Sequence, residues 1–518
     1  MKRIGYLLFA SLLLAVGCGK DSITVVDSET IEDYNDVDFD QTVTVVYSPT
    51  GNATVSGTPS DFTVSIDGNG VTIIYTGSEE VQYNLTGSSS NGYFKLYSPT
   101  RQAVMLQSLT LTNPNGPALN LQGPTASPSS GPTTYVVLDG ASALADGTTY
   151  AQSPSGEDQK GVVFAEGPLV FSGDGSVTVT ATGKSGIASD DVIQMSKGTV
   201  TVNASSAVKV NGTDTLKVAG MKAKDGFSIS DGTLTISCSG TGCKGLTSDG
   251  DGTFAGGTVT ITVTGANFGN SSSGGGPGGG PGGGPGGGPG GGQTSSDVPA
   301  KGIKFDGNVV VKGGTLIVSS ASHEGIEAKG TLTVSDGQLY SYSATDDAIN
   351  AGGDMSISGG YVCAHAVGND GLDANGNCYI KGGVVYAIGA SSPEVAIDAN
   401  SEEGKKLYVQ GGTIIAIGGL ERGASLTQSC YQASSWSKST WYALTVGSTV
   451  YAFKTPSSGG TPLVVSGAST PTLKSGITSS GGTDYFNGMM QVGGTVSGGS
   501  NVSLTSYTAN SGGGPGWH

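Results

Sequence analysis

The chain reads as an all-β protein, a parallel β-helix closed by a small C-terminal β cap, on three observations. Gly302-Ile303-Lys304-Phe305, Gly325-Ile326-Glu327-Ala328, Ala348-Ile349-Asn350-Ala351 and Gly371-Leu372-Asp373-Ala374 each follow the last by 23 residues, and Ala396-Ile397-Asp398-Ala399 follows at 25. Each segment leads into an alternating strand, a Gly-Gly or Asp-Gly turn and a second alternating strand, as in Met355-Ser356-Ile357-Ser358-Gly359-Gly360-Tyr361-Val362-Cys363-Ala364. Ninety glycines and only 13% charged residues suit a chain that turns every few residues. A short three-strand unit cannot bury its own apolar face. Repeated in register, it stacks on its neighbours and shares one core with them.

The N-terminus runs Lys2-Arg3, an apolar stretch from Ile4 to Val16, then Ala15-Val16-Gly17-Cys18. Residues 1–18 thus have the layout of a bacterial secretory signal ending in a lipobox, with Cys18 as the lipidation site. The apolar stretch is too short to span a membrane, so the expected attachment is a lipid anchor alone. That places the protein in the bacterial cell envelope, at the outer membrane or cell surface. Residues 19–40 are polar and acidic without alternation and are expected to form a flexible tether.

Residues 41–419 are assigned to the β-helix. Strand-like runs open it at Thr42 to Tyr47, Phe62 to Ile66, Val71 to Tyr75 and Leu106 to Leu111, irregular as terminal repeats are. The repeat is visible again at Ser185-Gly186-Ile187-Ala188, Ala219-Gly220-Met221-Lys222 and Lys244-Gly245-Leu246-Thr247. Residues 266–299 interrupt it with a tract in which proline recurs every fourth residue, a period that excludes collagen. With almost no apolar surface, this insertion is expected to be a disordered loop. Residues 420–518 lose the register and are expected to form hairpins that close the end of the helix, where an open sheet edge invites aggregation. Trp436, Trp441 and Phe453 are the expected core of that cap. Among the cysteines after Cys18, Cys378 falls on an inward position, while Cys238 and Cys243 bracket a short loop, and spacing leaves their pairing open.

Alternation assigns sides to the repeat. Ile303, Ile326, Ile349, Leu372 and Ile397 face inward, so the next residue in each segment faces out, giving the column Lys304, Glu327, Asn350, Asp373, Asp398. Two residues upstream of the inward position lies a second column, Lys301, Glu324, Asp347, Asp370. Stacked repeats lie about 4.8 Å apart, so these carboxylates repel unless a cation neutralises them. Calcium does so with six to eight oxygen ligands, and Glu324, Glu327, Asp347, Asn350, Asp370, Asp373 and Asp398 are the expected ligand set. Histidine and cysteine are too scarce for a zinc or copper centre. The net charge of −17 excludes a nucleic-acid surface. Tyr340, Tyr342, Tyr386 and Tyr379, with Lys304, are the candidate carbohydrate contacts, because tyrosines exposed along a flat sheet stack on sugar rings.

The segments His323-Glu324-Gly325-Ile326-Glu327, Asp346-Asp347-Ala348-Ile349-Asn350-Ala351 and Asn369-Asp370-Gly371-Leu372-Asp373-Ala374 resemble the bacterial carbohydrate-binding β-helix proteins that bind cellulose and polygalacturonate and carry calcium. Val136-Val137-Leu138-Asp139-Gly140, Leu144-Ala145-Asp146-Gly147 and Lys301-Gly302-Ile303-Lys304 support the likeness. The resemblance implies a right-handed, pectin-lyase-like helix with calcium on the aspartates of the repeats. Cys363, His365, Cys378 and Pro393-Glu394-Val395 depart from the pattern. The expected function is a monomeric surface lipoprotein that binds polysaccharide, with no catalytic residue assigned. Two rivals stay open: a calcium-dependent lyase using Lys222, Lys244, Lys301 or Lys304 as base, and a surface stalk without glycan affinity.

Overall fold

The computed structural model describes residues 31–154, 157–211, 214–269 and 297–509. The leader, Cys18, residues 19–30 of the tether and the centre of the glycine-rich insertion lie outside the described residues. The chain divides into two compact units, Met1–Val37 and Asp38–His518. Within the first, Tyr34–Asp36 is a 3-10 turn whose preceding Asp33 accepts a hydrogen bond from the Asn35 N–H at 2.9 Å.

The second unit is all-β, and most of its strands pair in parallel. In the repeat region each 23-residue segment contributes one strand to each of three ladders. The first stacks Ile303–Phe305, Ile326–Ala328, Ile349–Ala351 and Leu372–Ala374, pairing Ile303 with Ile326, Ile349 and Leu372 in turn, and a further bridge joins Leu372 to Ile397. The second runs through Val309–Val311, Leu332–Val334, Met355–Ile357, Cys378–Ile380 and Leu407–Val409. The third runs through Thr315–Ser320, Gln338–Ser343, Tyr361–Ala366, Val384–Ile388 and Thr413–Ile417. This is the register that the 23-residue period predicts. Among the described residues the first ladder continues back to an antiparallel pair, Phe62–Asp67 with Asn69–Tyr75.

The inward column Ile303, Ile326, Ile349, Leu372 and Ile397 is fully buried. Each such side chain contributes about 1.5–3 kcal/mol relative to exposure. The Gly-Gly turns repeat the same backbone: Gly314, Gly337, Gly360 and Gly383 have φ of 69°, 86°, 70° and 73°. A Cβ on Gly360 would lie 2.7 Å from the Gly337 carbonyl oxygen, so both the left-handed conformation and the close stacking require glycine. At the insertion, Phe268 and Val298 exchange backbone hydrogen bonds of 2.9 and 3.0 Å, which closes its neck. Cys238 and Cys243 are free buried thiols, and the Cys238 thiol donates to the Lys244 carbonyl at 3.2 Å.

The C-terminal region does more than the expected closing of an end. Leu463–Ser466 pairs antiparallel with Thr413–Ile417 and stops the parallel ladder there. A six-stranded antiparallel sheet, built from Trp441–Val446, Thr449–Lys454, Thr472–Ser480, Thr483–Tyr485, Met490–Val492 and Thr495–Val502, covers the outer side of the third ladder. Its Tyr442, Leu444, Phe453 and Leu473 share one apolar cluster with Tyr386, Ile388, Ile415 and Ile417. Phe453 is buried in this cluster; Trp436 packs at its edge, with its indole N–H donating to the Gly460 carbonyl at 2.8 Å, and Trp441 packs against a smaller cluster.

Candidate functional site

The first ladder carries the charged columns. In register, Lys222 pairs with Thr247, then Lys304, Glu327, Asn350 and Asp373. Beside it, Lys244, Lys301, Glu324, Asp347 and Asp370 follow one another, linked at the corner by backbone bonds such as Gly245 N–H to the Lys301 carbonyl at 3.0 Å and Ala348 N–H to the Asp370 carbonyl at 3.1 Å. The next rung is Val395 rather than Glu394, since the Gly371 N–H donates to the Val395 carbonyl. One end of this face is therefore cationic and the other anionic, and they meet at Lys301.

That meeting point corrects the sequence reading of Glu324 and Glu327. Glu327 does not face solvent: it is 2% exposed, 2.5 Å from the Lys301 ammonium and paired on its other oxygen with Lys329. Glu324 lies 3.1 Å from Lys301. Burial alone raises the Glu327 carboxyl, but Lys301 outweighs it and holds the group below its usual range. Burial likewise pulls the Lys301 ammonium down, and Glu324 and Glu327 hold it up. These two glutamates have their counter-charge already.

His323 is ion-paired with Glu324 and, at 2.8 Å, with Asp346. Burial pulls the imidazole down, but its hydrogen bonds to the Asp346 and Glu324 carboxylates outweigh it and hold it up at about 9. Among the described residues, His323, Glu324 and Asp346 form one compact three-donor group and Asp158, Glu166 and Asp190 another. The first is an imidazole set between two carboxylates that favour its protonated form. The second encloses Lys160, which lies 2.7 Å from Asp158 and also pairs with Asp190.

The aspartates past this junction are different. Asp347, 5% exposed, accepts from the Asn350 amide at 3.2 Å and from the Asp370 N–H at 3.1 Å. Asp373 accepts from the same Asn350 amide at 2.6 Å, and its carboxyl interacts electrostatically with those of Asp347 and Asp398, as Asp398 does with Glu421. Asp370 accepts from the Val395 N–H at 2.6 Å. Burial, then Asp373, Asp346 and Asp370, pushes Asp347 well above the carboxylate range. Burial is also the main cause for Asp370, pushed up to about 8, Asp373 to about 6 and Asp398 to about 10. Among the described residues no ion pair neutralises these four. They form a row, not a three-donor point, and their all-oxygen chemistry, with Asn350 and nearby carbonyls, fits a hard cation such as calcium and not a soft metal.

The tyrosines separate into two groups. Tyr379 and Tyr408 are partly exposed and stack with centroids 5.0 Å apart and planes 9° from parallel, with the Lys381 ammonium 4.9 Å from the Tyr379 centroid. Tyr342 packs edge-on to His365 at 5.1 Å, and Tyr340 is half-buried. Tyr386 is fully buried under the C-terminal sheet and donates its hydroxyl to the Lys454 carbonyl at 2.8 Å, so it offers no platform to a sugar. Lys304 pairs with Asp306.

The cationic end forms a cleft of about 360 Å3 lined by Lys217, Lys222, Lys244, Lys301, Lys304 and Lys329. The columns bring four of these lysines to one place; Lys217 and Lys329 join from outside the columns, and no sequence reading singled them out. The His323–Asp346 pairing carried a signal, because His323, Asp346 and Asn369 are each 23 residues apart and the Asn369 amide donates to Asp346 at 3.1 Å.

A family model described as a carbohydrate-binding domain-containing protein matches residues 67–347. No curated protein matches the chain. Among solved structures, the polysaccharide lyase-like protein from C. thermocellum, as its gadolinium derivative, is similar at 14% identity over 64% of this chain and 96% of that one, with a TM-score of 0.31. The family match takes in more than half of the 518 residues, the cationic cleft and the start of the aspartate row, and the chain belongs to the carbohydrate-binding domain-containing family.

Proposed function

We propose that the protein is a lipid-anchored, monomeric polysaccharide-binding protein of the bacterial cell envelope, built as a right-handed parallel β-helix, whose aspartate row holds calcium and through it captures an acidic glycan. Pectic polygalacturonate is the first candidate; cellulose, a neutral glucan, is the second and would rest on the tyrosine faces rather than on calcium. One observation carries the reading: Asp347, Asp370, Asp373 and Asp398 are gathered on adjacent rungs with no ammonium among them. A protein of net charge −17 repels a polyanion on its own, and bound calcium reverses the local sign. The stacked Tyr379 and Tyr408 rings, on the neighbouring ladder, supply an apolar face for a sugar ring.

The lyase reading fits less well. Burial, reinforced by Lys301, Lys217 and Lys304, pulls the Lys244 ammonium down to about 8, which suits a base. Lys244 is four rungs from Asp370, however, or roughly 19 Å along the ladder, too far to reach a proton on a sugar whose carboxylate sits on calcium there. Lys301 is nearer but is held charged by its glutamates. Retention of polygalacturonate, cellulose and xylan by the full chain in calcium and in EDTA tests the binding. Absorbance of unsaturated products in the same tubes separates a binder from a lyase. Equal retention with and without EDTA refutes the calcium reading.

A further inference from the structure

The cationic cleft is unusual in a chain with 24 basic and 41 acidic residues, because six lysines meet there against four lining carboxylates, Asp249, Asp297, Asp306 and Glu327. Lys301, Lys304 and Lys329 are already paired with Glu324, Asp306 and Glu327. The ammonium groups of Lys217, Lys222 and Lys244 have no ion pair or hydrogen bond among the described residues. Lys244 is the telling one, since it is only 9% exposed and a buried charge without a partner is costly. Burial and three like charges, Lys301, Lys217 and Lys304, disfavour its charged form and outweigh the opposing pull of Cys243.

An anion in the cleft would supply the missing counter-charge. The register sets the donors around it: Lys222, Thr247 and Lys304 occupy successive rungs of one column, and Lys244 and Lys301 flank them on the next. Thr247 adds a half-exposed hydroxyl, able to donate to or accept from a sugar hydroxyl, between two ammonium groups. The volume is within the range of small-ligand sites. The cleft also lies on the same ladder as the aspartate row, so a single extended polymer can lie across both.

We propose that the lysine cleft is a metal-independent subsite for an oxyanion substituent of the bound glycan, a sugar carboxylate or a sulfate ester, distinct from the calcium row. The inference rests on the reading that this face binds an acidic glycan. It divides the work along the ladder: ammonium groups take one anionic sugar directly, and calcium takes another some rungs away.

The test is calorimetric titration of the full chain with trigalacturonate, a sulfated neutral trisaccharide and its unsulfated counterpart, each in EDTA and in calcium. Lys244→Met keeps the apolar stem and removes the charge, and Lys222→Met, at a half-exposed position, guards against misfolding. In EDTA the wild type should bind a charged trisaccharide and not the neutral one. Either lysine variant should weaken that binding by about tenfold or more, as loss of a charge-assisted contact does, while the added affinity due to calcium survives. Whether trigalacturonate or the sulfated sugar binds more tightly identifies the oxyanion. Wild-type affinity that appears only with calcium, equal binding of the neutral sugar, or lysine variants that match the wild type in EDTA would each overturn the subsite. The first of these leaves calcium-mediated binding standing. Binding in EDTA that calcium does not increase supports the subsite and removes the calcium row instead.

Discussion

Replacing Asp370 and Asp373 together by asparagine tests the aspartate row through stability. Burial first, then Glu394, Asp373 and Glu421, lifts Asp370 from 3.8 to about 8, and burial lifts Asp373 from 3.8 to about 6. Both folded values exceed the unfolded ones, so the native state holds the extra protons. Their contribution is complete below about pH 3.8 and is lost as pH rises through about 6 and then 8. At about 1.4 kcal/mol per unit, Asp370 alone has a ceiling of about 6 kcal/mol; relaxation of the row and solvent screening bring the pair to about 2–4 kcal/mol. The unfolding entropy of a chain this size is on the order of 1 kcal/mol per degree, so in EDTA at pH 8.5 the double variant should melt about 2–4 °C above the wild type. The gap should shrink by more than half at pH 5. Millimolar calcium should close most or all of the gap, because the wild type gains about 2.7 kcal/mol at a hundredfold excess over Kd and the variant gains little. Calorimetric melts at both pH values, with calcium and with EDTA, read all of this. A variant with the wild-type calcium increment, or one less stable in EDTA at both pH values, refutes the account.

Tyr386→Phe should cost about 1 kcal/mol through the lost bond to the Lys454 carbonyl and leave glycan retention unchanged. Tyr386→Ala should cost about 3–5 kcal/mol and expose the C-terminal sheet to limited proteolysis. Tyr379→Ala and Tyr408→Ala should weaken retention severalfold with little change in melting temperature, since the stacked rings are partly exposed. Cys18→Ser should abolish metabolic acyl labelling and membrane association, and persistent labelling would contradict the lipid anchor.

The 23-residue period was enough to place Ile303, Ile326, Ile349 and Leu372 in one buried ladder, and Lys304, Glu327, Asn350 and Asp373 in the column beside it. Backbone pairing between identical units is local to the repeat, so register follows from counting. The fate of the third ladder carried a fainter signal. Gln338-Leu339-Tyr340-Ser341-Tyr342-Ser343 alternates and keeps one face open, whereas Val384-Val385-Tyr386-Ala387-Ile388 and Thr413-Ile414-Ile415-Ala416-Ile417 are nearly continuous apolar runs, the mark of strands covered on both faces. The covering sheet is more than fifty residues further along the chain, and no period connects it to Tyr386.

Charge pairing is where counting ends. The columns place acids and lysines on successive rungs, but which ammonium satisfies which carboxylate depends on side-chain reach and shared burial. Lys301 takes Glu324 and Glu327, His323 takes Asp346, and among the described residues these choices leave Asp347, Asp370, Asp373 and Asp398 without a cation and Lys244 without an anion. The all-β class, the strand register and the order of charges along each column are legible in the repeat, because they depend on periodic contacts between like units. Which tyrosines stay open and which charges remain uncompensated follows only from the folded chain, because burial and electrostatic balance are sums over neighbours brought together from distant positions.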